Sequence, residues 1–507
     1  MQRVPSILRL PAACVAVWCL AAPARAGDQV FHLTKHGSVT SGVNRLPGTP
    51  VGHCMQCHPV RQTPVPMSPV LFAPNDNTLC FGCHAAAGPA SVYAGQTAYA
   101  AGIHASSAAM RWPGPTPPAR PAGDAGKCLN CHTPHGARDG AGLVPNLEYV
   151  REEALCLACH DGSGPAAANI FAELTKTAGH PTATVSGRHA TAEGSSSAAF
   201  GAANRHAECT DCHNPHATTS TSALMGASRV AVTNGAAGTA PTYSYVPPTN
   251  AAPVTEYELC FKCHSSWTTR PAGAKDVALV VNPANESFHP VEAPGKTTSS
   301  QLAASLAAGG GTPHLTTSSV IACTDCHNND ALPRTVTLLS GYTGAVPKGP
   351  HGSSASGGNA AFSNAILRAP YRADLKPRAT SNDYTANDFA LCFICHSPAP
   401  FGTTNEGARA DTSFRLHGMH LNKLFDKGSI NGSITTPGAG RGNAICRECH
   451  YDTHGTRGAP FASNRTYTRG VNFAPNVQGP GGSGEPSWTA GSCRLRCHGT
   501  NHNPETY

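Results

Sequence analysis

The feature that most constrains this chain is a short spacing: two cysteines separated by two residues, with a histidine directly after the second. Nine regular copies begin at Cys54, Cys80, Cys128, Cys156, Cys209, Cys260, Cys323, Cys392 and Cys446. A tenth copy has three intervening residues and runs from Cys493 through Cys497 to His498. Two thiols at the regular spacing can add to the vinyl groups of one porphyrin, and the histidine can then ligate its iron. The spacing is therefore the attachment signature of c-type haem.

Paired cysteines also occur in zinc sites and in disulfides, and an exported chain with an even number of cysteines is a disulfide candidate. Neither alternative explains the histidine, which makes up only 26 of 507 residues yet follows the second cysteine ten times. The sequence therefore predicts about ten covalent haems. For the stretched copy, a decayed or redox-active cysteine pair is the alternative.

The predicted residues fall into two sets. The attachment cysteines are Cys54, Cys57, Cys80, Cys83, Cys128, Cys131, Cys156, Cys159, Cys209, Cys212, Cys260, Cys263, Cys323, Cys326, Cys392, Cys395, Cys446, Cys449, Cys493 and Cys497. The proximal iron ligands are His58, His84, His132, His160, His213, His264, His327, His396, His450 and His498. No catalytic residue is predicted.

Composition agrees with a fold built around cofactors. Aromatic residues are 6% and charged residues 13% of the chain, whereas Gly (52) and Pro (43) are abundant. Because few large apolar side chains are available for a protein-only core, we predict an irregular fold. It is mostly loop, with short α-helices wrapped around a haem chain and a few short β-hairpins. We also expect the apo-protein to be largely unfolded, since cofactor binding would supply folding free energy.

Residues 1–26 have the features of a signal peptide: two arginines, an apolar run and the cleavage signal Ala24-Arg25-Ala26. Cleavage would remove Cys14 and Cys19 and leave twenty cysteines, all used by the ten motifs. A lipid anchor at Cys14 is disfavoured because the apolar segment before it is too short. No later stretch is long enough to span a membrane, so we predict an exported protein, periplasmic or on the outer surface. No basic patch indicates nucleic-acid binding.

The motifs come in pairs, which divide the mature chain into five predicted units: 27–100, 101–175, 176–285, 286–412 and 413–507. Four second motifs share a Leu before their first cysteine, and we predict a short helix ahead of each, capped for example by Asn146 or Asn387. The inserted segments between motifs are predicted loops, in which residues 229–232 and 335–339 could form strands.

The units beginning at Cys128 and Cys209 carry Cys-x-x-Cys-His-x-Pro-His followed by Leu-Cys-x-x-Cys-His. In this pattern the chain resembles the doubled-CXXCH family of multihaem cytochromes c. The resemblance covers nearly all of residues 27–507 and implies an electron carrier of the kind that passes respiratory electrons outward. It implies partners among other redox proteins, with an outer-membrane porin-cytochrome conduit or self-polymerisation as further possibilities.

The second axial ligand of each iron is predicted from the remaining histidines, which outnumber the methionines. One set follows the second motifs by 24 to 29 residues or precedes the first unit, and another lies between the two motifs of a unit. The predicted distal ligands are His36, His104, His135, His180, His216, His289, His351, His417 and His454. The first unit lacks an internal histidine, so the tenth ligand is left among His53, His32 and His502, with His53 preferred. We expect His189, His206, His314 and His420 to be solvated loop residues.

Two functions remain open on the sequence. If every iron has two histidines, the protein is an electron conduit. If one iron keeps an open position, the protein could reduce a small oxyanion or nitrogen compound there. Sixteen histidines besides the ten proximal ones are available for ten irons, which favours the conduit. The first unit and the stretched motif are the places where an open iron could lie.

Overall fold

The structure is a computed structural model. It describes residues 28–59, 71–74, 76–85, 96–140, 142–182, 206–248, 253–268, 274–375, 385–402, 409–422, 444–456, 467–489, 491–497 and 500–506. The predicted signal peptide lies outside these ranges.

The helices of the described residues are short. The α-helices are α1 (Asp28–Phe31), α2 (Thr78–His84), α3 (Gln96–Ala101), α4 (Ile103–Ser106), α5 (Glu152–His160), α6 (Ile170–Leu174), α7 (Cys209–Cys212), α8 (Glu256–Cys260), α9 (Val277–Val281), α10 (Ser300–Ala307), α11 (Ala390–Phe393), α12 (His417–Asn422) and α13 (Cys446–Cys449). Single 3-10 turns cover Cys54–Gln56, Ala122–Asp124, Cys128–Asn130, Pro145–Leu147, Cys323–Asp325, Leu339–Gly341, Ala386–Phe389 and Pro480–Gly482. Within the described ranges, none of the helices has the length and apolar character needed to cross a membrane.

The strands form small antiparallel sheets. They are β1 (Arg138–Asp139), β2 (Gly142–Leu143), β3 (Ala178–Gly179), β4 (Arg229–Thr233), β5 (Thr242–Val246), β6 (Gly352–Ser353), β7 (Ser487–Thr489), β8 (Ser492–Cys497) and β9 (Thr500–Thr506). β1 pairs with β2, β3 with β6 and β4 with β5, while β7, β8 and β9 form one three-stranded sheet. The predicted irregular fold of loops, short helices and few hairpins is therefore confirmed.

The paired motifs occupy two kinds of local structure. In the first two units the second motif lies within a helix, α2 or α5, and in the third and fourth units it begins near the end of one, α8 or α11, as expected for a motif that closes a helical turn. First motifs occupy a single turn, either 3-10 or α-helical. The stretched motif differs from both, because its two cysteines lie on strand β8.

Two predicted helix caps were wrong. Asn146 lies inside the turn Pro145–Leu147 with φ of 54°, a left-handed conformation that Asn tolerates better than most residues, and α5 begins only at Glu152. Near the fourth unit's second motif, the cap is Thr385 rather than Asn387, because its side chain accepts a hydrogen bond from the backbone N–H of Asp388.

The predicted strand at residues 229–232 is present as β4, and β5 is its partner. The segment 335–339 is not a strand. It makes one bridge, between Val336 and Thr312, and then enters the turn Leu339–Gly341. A single bridge leaves most of its backbone groups free for other contacts, and the carbonyls of Val336 and Thr337 accept hydrogen bonds from Arg368.

Protein-only hydrophobic cores are small and local. One cluster in the third unit consists of Val230, Phe261, Ala278 and Val281, against which the β4–β5 hairpin packs. A second cluster near the C-terminus consists of Val471, Phe473, Val477 and Leu495, with Cys449, Cys493 and Cys497 packed against it. Between such clusters runs a continuous cavity of about 2550 Å³, lined by cysteines from Cys156 to Cys497 and by many of the histidines.

The Phe261 side chain anchors the third-unit cluster and is 0% exposed. We expect Phe261→Ala to lower the free energy of unfolding by about 3–5 kcal/mol, the usual cost of emptying a buried aromatic site. Equilibrium urea unfolding of the mature protein, followed by circular dichroism, measures this. Phe171→Ala is the matched control, because Phe171 is 44% exposed and should change the value by under about 0.5 kcal/mol. Equal effects of the two substitutions would contradict the assignment.

Candidate haem sites

Many histidines of the described residues lie in pairs whose ring centres are about 6 Å apart. The pairs, with the distances between ring centres, are His36 and His84 (6.1 Å), His58 and His135 (6.1 Å), His104 and His160 (6.4 Å), His132 and His216 (6.0 Å), His180 and His264 (6.3 Å), His213 and His351 (6.1 Å), His327 and His454 (5.9 Å), and His420 and His502 (6.3 Å). In all but the last pair, one member follows a cysteine motif and the other belongs to the predicted distal set.

This spacing is the one that two imidazoles on opposite sides of a metal ion require. With metal–nitrogen bonds of about 2 Å, the ring centres of two such imidazoles lie about 6 Å apart. Two rings stacked in direct contact would lie closer than that. Among the described residues, no group of three or more His, Cys, Asp or Glu side chains could hold a metal ion, so the recurrent arrangement is the histidine pair.

Two more proximal histidines have a predicted distal histidine close enough to shift a pKa. Burial lowers the pKa of His396 to about 4, and repulsion from the nearby His289 adds to the shift. Burial likewise lowers the pKa of His417 to about 3, with repulsion from His450 as the next cause. All nine regular proximal histidines therefore have a predicted distal histidine as neighbour.

Burial keeps these imidazoles in the form that binds iron. Besides His396 and His417, desolvation lowers the pKa of His216, His264 and His327 to about 4 and that of His351 to about 3. At neutral pH the rings are therefore unprotonated, and a ring nitrogen can donate its lone pair to a metal.

In many of the paired histidines, Nδ1 forms a hydrogen bond with a backbone carbonyl, as is usual for metal-binding histidines. Among the proximal histidines, Nδ1 donates to Asn146 (His132, 3.0 Å), Ala223 (His213, 2.9 Å), Ile366 (His327, 3.2 Å) and Gly470 (His450, 2.9 Å). These bonds select the tautomer that leaves Nε2 available, and they aim each ring at its partner.

The distal histidines share a further arrangement. His104 donates from Nδ1 to the carbonyl of Pro215 (2.9 Å) and His180 to that of Pro350 (2.6 Å), while His289 bonds in the same way to Thr453, and His36 bonds to the backbone of Pro134. Each of these carbonyls belongs to the residue just before an internal distal histidine, His135, His216, His351 or His454. Each of these backbone groups therefore joins two predicted distal histidines that meet the two proximal histidines of one unit.

Glycine follows most of the internal histidines because another segment passes very close. A Cβ on Gly352 would come within 1.8 Å of the carbonyl oxygen of Glu173, and one on Gly455 within 2.2 Å of that of Val280. Strand β3 pairs with β6 at Gly352, which places the backbone of His180 beside that of His351.

The pairing follows a simple rule along the chain. A second-motif histidine meets the distal histidine that lies in its own unit ahead of the first motif, as in His264 with His180. A first-motif histidine meets the internal histidine of the following unit, as in His213 with His351.

The cysteines place consecutive motifs side by side in chain order. Within units, the second cysteines interact electrostatically: Cys57 with Cys83, Cys131 with Cys159, Cys212 with Cys263 and Cys326 with Cys395, while in the last unit Cys449 interacts with Cys493. Between units the first cysteines meet: Cys80 with Cys128, Cys156 with Cys209, Cys260 with Cys323 and Cys392 with Cys446. These interactions place motifs that are consecutive in the sequence near one another. All twenty cysteines are free of disulfides.

The other histidines are placed as follows. His53 is exposed, and its Nδ1 accepts a hydrogen bond from the Met55 backbone (3.2 Å). His32 and His314 are exposed. His206 is buried rather than solvated, with Nε2 2.6 Å from a Glu153 oxygen. His189 and His498 lie outside the described residues.

Sequence reasoning missed two sets of buried polar residues that hold the motifs in place. In every first motif, the residue before the second cysteine is polar and buried: Gln56, Asn130, Asp211, Asp325 and Glu448. Gln56, for example, accepts hydrogen bonds from Arg45 and Leu46 (2.7 Å each). The signal was present in the sequence as a polar residue at the same position of five motifs.

The second set joins neighbouring units. Glu256, on α8, accepts hydrogen bonds from the backbone N–H (2.7 Å) and the hydroxyl (2.6 Å) of Thr324 in the next unit. Glu152, on α5, holds Thr210 in the same way at 2.7 Å for both bonds. In each case the glutamate lies four residues before the first cysteine of a second motif.

A sequence-family model for the doubled CXXCH motif matches residues 49–89 and 121–164, which contain the motif pairs of the first two units. The chain is a multihaem c-type cytochrome. Comparisons of the whole chain with curated proteins and with solved structures find no match. Its cysteine motifs bind haem c covalently, and a bound haem supplies one-electron redox chemistry. The histidine pairs fit that group, since they offer neutral nitrogens from two sides at the required distance.

Substitution of an internal histidine tests the pairing rule. We expect His351→Ala to leave the iron at the Cys209 motif, in the preceding unit, with one axial histidine, so one ferric haem changes from low spin to high spin. Electron paramagnetic resonance of the oxidised protein detects the new signal.

The location of that haem is found by combining the substitution with removal of single haems. In a Cys209→Ala/Cys212→Ala background, His351→Ala should add no high-spin signal, because the affected haem is gone. In a Cys323→Ala/Cys326→Ala background, which removes the haem of the same unit as His351, the signal should persist. The reverse outcome would show that His351 serves its own unit.

The hydrogen bonds across the unit junction also have a measurable effect. Thr324→Val keeps the side-chain volume but removes the hydroxyl donor from the half-buried carboxylate of Glu256. We expect it to lower the free energy of unfolding by about 1–3 kcal/mol, the usual contribution of a hydrogen bond to a charged group. Thr316→Val, at a site where Thr316 bonds to Ser318 and Ser319 near the surface, is the control and should have little effect. An unchanged urea midpoint for Thr324→Val would show that the junction does not depend on this bond.

Proposed function

We propose that this cytochrome is a decahaem electron conduit in which ten haems form a single file in the order of the sequence. The observation that supports this most directly is that the cysteines of consecutive motifs lie near one another. In the first four units the second cysteines of the two motifs interact, and between units the first cysteines interact. Because each haem is bound to its own motif, neighbouring motifs imply neighbouring haems. Electrons could then pass along the whole chain without branching.

Two axial histidines at each iron favour transfer over catalysis. An iron with both axial positions filled by protein has no place for a substrate, whereas a reductase needs an open position. The nine regular proximal histidines each have a distal histidine as neighbour, which supports closed sites. With histidine in place of methionine as the second ligand, we further propose that the haems have low reduction potentials.

The two ends of the file are the proposed points of exchange with partners. At the N-terminal end Cys54 is exposed, and at the C-terminal end strand β8 presents the exposed Arg494. We propose that other redox proteins, among them an outer-membrane porin-cytochrome complex or a second copy of the chain, deliver and remove electrons there. Export by residues 1–26 would place the protein in the periplasm or outside the cell, in respiratory electron transfer.

Haem content and spin state test the proposal together. Intact mass spectrometry of the mature protein should show a polypeptide that starts at Gly27 and carries ten haems. Electron paramagnetic resonance with magnetic circular dichroism should show every ferric haem in the low-spin state. Fewer haems would disprove the decahaem count, and one high-spin haem in the native protein would favour a reductase.

Continuity of the file is tested by removing one haem from its middle. We expect Cys209→Ala/Cys212→Ala to abolish most of the current that passes from an electrode at the N-terminal end to a soluble acceptor at the other end. The matched control, Cys493→Ala/Cys497→Ala, removes a terminal haem and should retain more of that current. Equal currents in both variants would disprove a single unbranched path.

A further inference from the structure

Among the described residues, the buried lysine and arginine side chains are Lys262 and Arg368, which are 2% and 0% exposed. Each lies beside the motifs of one unit, Lys262 in the third and Arg368 in the fourth. Burial of a charged group is unfavourable unless other groups stabilise it. Neither residue is a predicted haem ligand, so both positions require an explanation.

The Arg368 guanidinium occupies a closed site in the fourth unit. Its terminal nitrogens donate to the carbonyls of Pro333, Val336 and Thr337. Its backbone N–H donates to the carbonyl of Cys326 (2.9 Å), which fixes the residue against the first motif. A guanidinium stays charged at neutral pH even when it is buried. The carbonyls satisfy its hydrogen bonds but leave its positive charge in place.

A buried carboxylate lies near this guanidinium. Asp325, the residue before the second cysteine of the first motif, is 7% exposed, and its two oxygens accept hydrogen bonds from backbone N–H groups (2.7 and 2.8 Å). Burial lowers the pKa of Arg368, and Asp325, Cys326 and Cys395 are close enough to oppose that shift. The two charges therefore lie near attachment cysteines of both motifs of the unit.

The third unit has the same combination, although its cation comes from a different position in the sequence. Lys262 precedes the second cysteine of the second motif, where the fourth unit has Ile394. Its Nζ donates to the backbone carbonyl of Asp211 and to the hydroxyl of Ser228 (2.7 Å). Burial raises the pKa of the nearby Cys212 thiol to about 12, and the charge of Lys262 opposes that rise.

The first two units provide the contrast. At the position of Asp211 and Asp325 they have the neutral amides of Gln56 and Asn130, which also accept hydrogen bonds from the backbone. In the described parts of these two units no lysine or arginine is buried. The fifth unit has Glu448, whose carboxylate accepts a hydrogen bond from a side-chain amide (2.7 Å). A buried cation thus accompanies the aspartate of the third and fourth units and is missing beside the amides.

A fixed charge near a haem changes its reduction potential, because reduction adds one electron to the ferric iron. A nearby carboxylate disfavours that electron and a nearby cation favours it. Both effects are stronger in a site without water than at the surface. A buried aspartate by itself would therefore lower the potential of the haems beside it, and electrons would have to pass over that step in the middle of the file.

We propose that Arg368 offsets the charge of Asp325 and so raises the reduction potentials of the two haems of the fourth unit above the values that Asp325 alone would give. Lys262 offsets Asp211 in the same way in the third unit. The inference rests on the proposed conduit function, since it concerns the potentials of haems in that file. Both cations act through their charge and without contact with iron.

Redox titration of the mature protein, followed by visible absorption, measures the potentials. Arg368→Gln removes the charge but keeps an amide donor, and it should shift two haems to lower potential. Arg368→Lys keeps the charge and should leave those potentials near the wild-type values. Arg334→Gln is the matched control in the same unit. Arg334 is exposed, so water screens its charge and no haem should shift.

Removal of the opposite charge gives an independent measurement. Asp325→Asn introduces the amide that the second unit has as Asn130, and it should shift the same two haems to higher potential. The double variant Arg368→Gln/Asp325→Asn should return toward the wild-type titration, because both charges are removed together. Intact mass and electron paramagnetic resonance should show ten low-spin haems in each variant, since attachment and axial residues are unchanged.

Unchanged potentials in both Arg368→Gln and Asp325→Asn would overturn the inference while the ten-haem conduit stands. Shifts of the same sign in the two single variants would also overturn it, because they would show a structural effect in place of a charge effect. If Arg368→Gln does not accumulate, Asp325→Asn decides alone. Fewer than ten haems or a high-spin haem in the wild-type protein would instead disprove the proposed function itself.

Discussion

The meeting of two histidines from different units is the interaction on which the rest of this structure depends. Aromatic side chains are scarce, the apolar clusters are local, and the longest α-helix in the described part of the chain, α5, has nine residues. Distant parts of the chain instead meet at the segments that carry the predicted distal histidines. His180 and His351 illustrate this, since their backbones are joined by a hydrogen bond although 171 positions separate them in the sequence.

The units are consequently repeats in sequence but interdependent in structure. Segment 178–180 lies at the start of the third unit, places His180 beside His264 of that unit's second motif, and pairs with a strand of the fourth unit. The carboxylates of Glu152 and Glu256 add a hydrogen-bonded link to the following unit. A cut between two units would separate a motif from its distal histidine, so stability is expected to be shared along the row.

The sequence alone predicted the class of fold, because ten cysteine motifs in a chain with few aromatic residues leave little alternative to loops around cofactors. The registers of the histidines also pointed to the nine that the structure places beside proximal ligands. Sequence reasoning did not show which proximal histidine each one meets, because the partners belong to different units and local spacing carries no information about them. His135, for example, lies three residues after His132 but faces His58. The search for a tenth ligand near His53 followed from assuming that every unit completes its own irons.

A row in which each unit completes its predecessor can be lengthened without leaving an iron incomplete. A unit inserted in the middle would supply an internal histidine to the unit before it and receive one from the unit after it. The first unit follows the same scheme, because His36 ahead of its first motif lies beside His84, and His135 of the second unit lies beside His58. In the fifth unit, the first-motif histidine His450 instead lies near His417 on α12, a helix of the same unit. This exception shows that a first-motif histidine can meet a distal histidine of its own unit as well as one of the next unit.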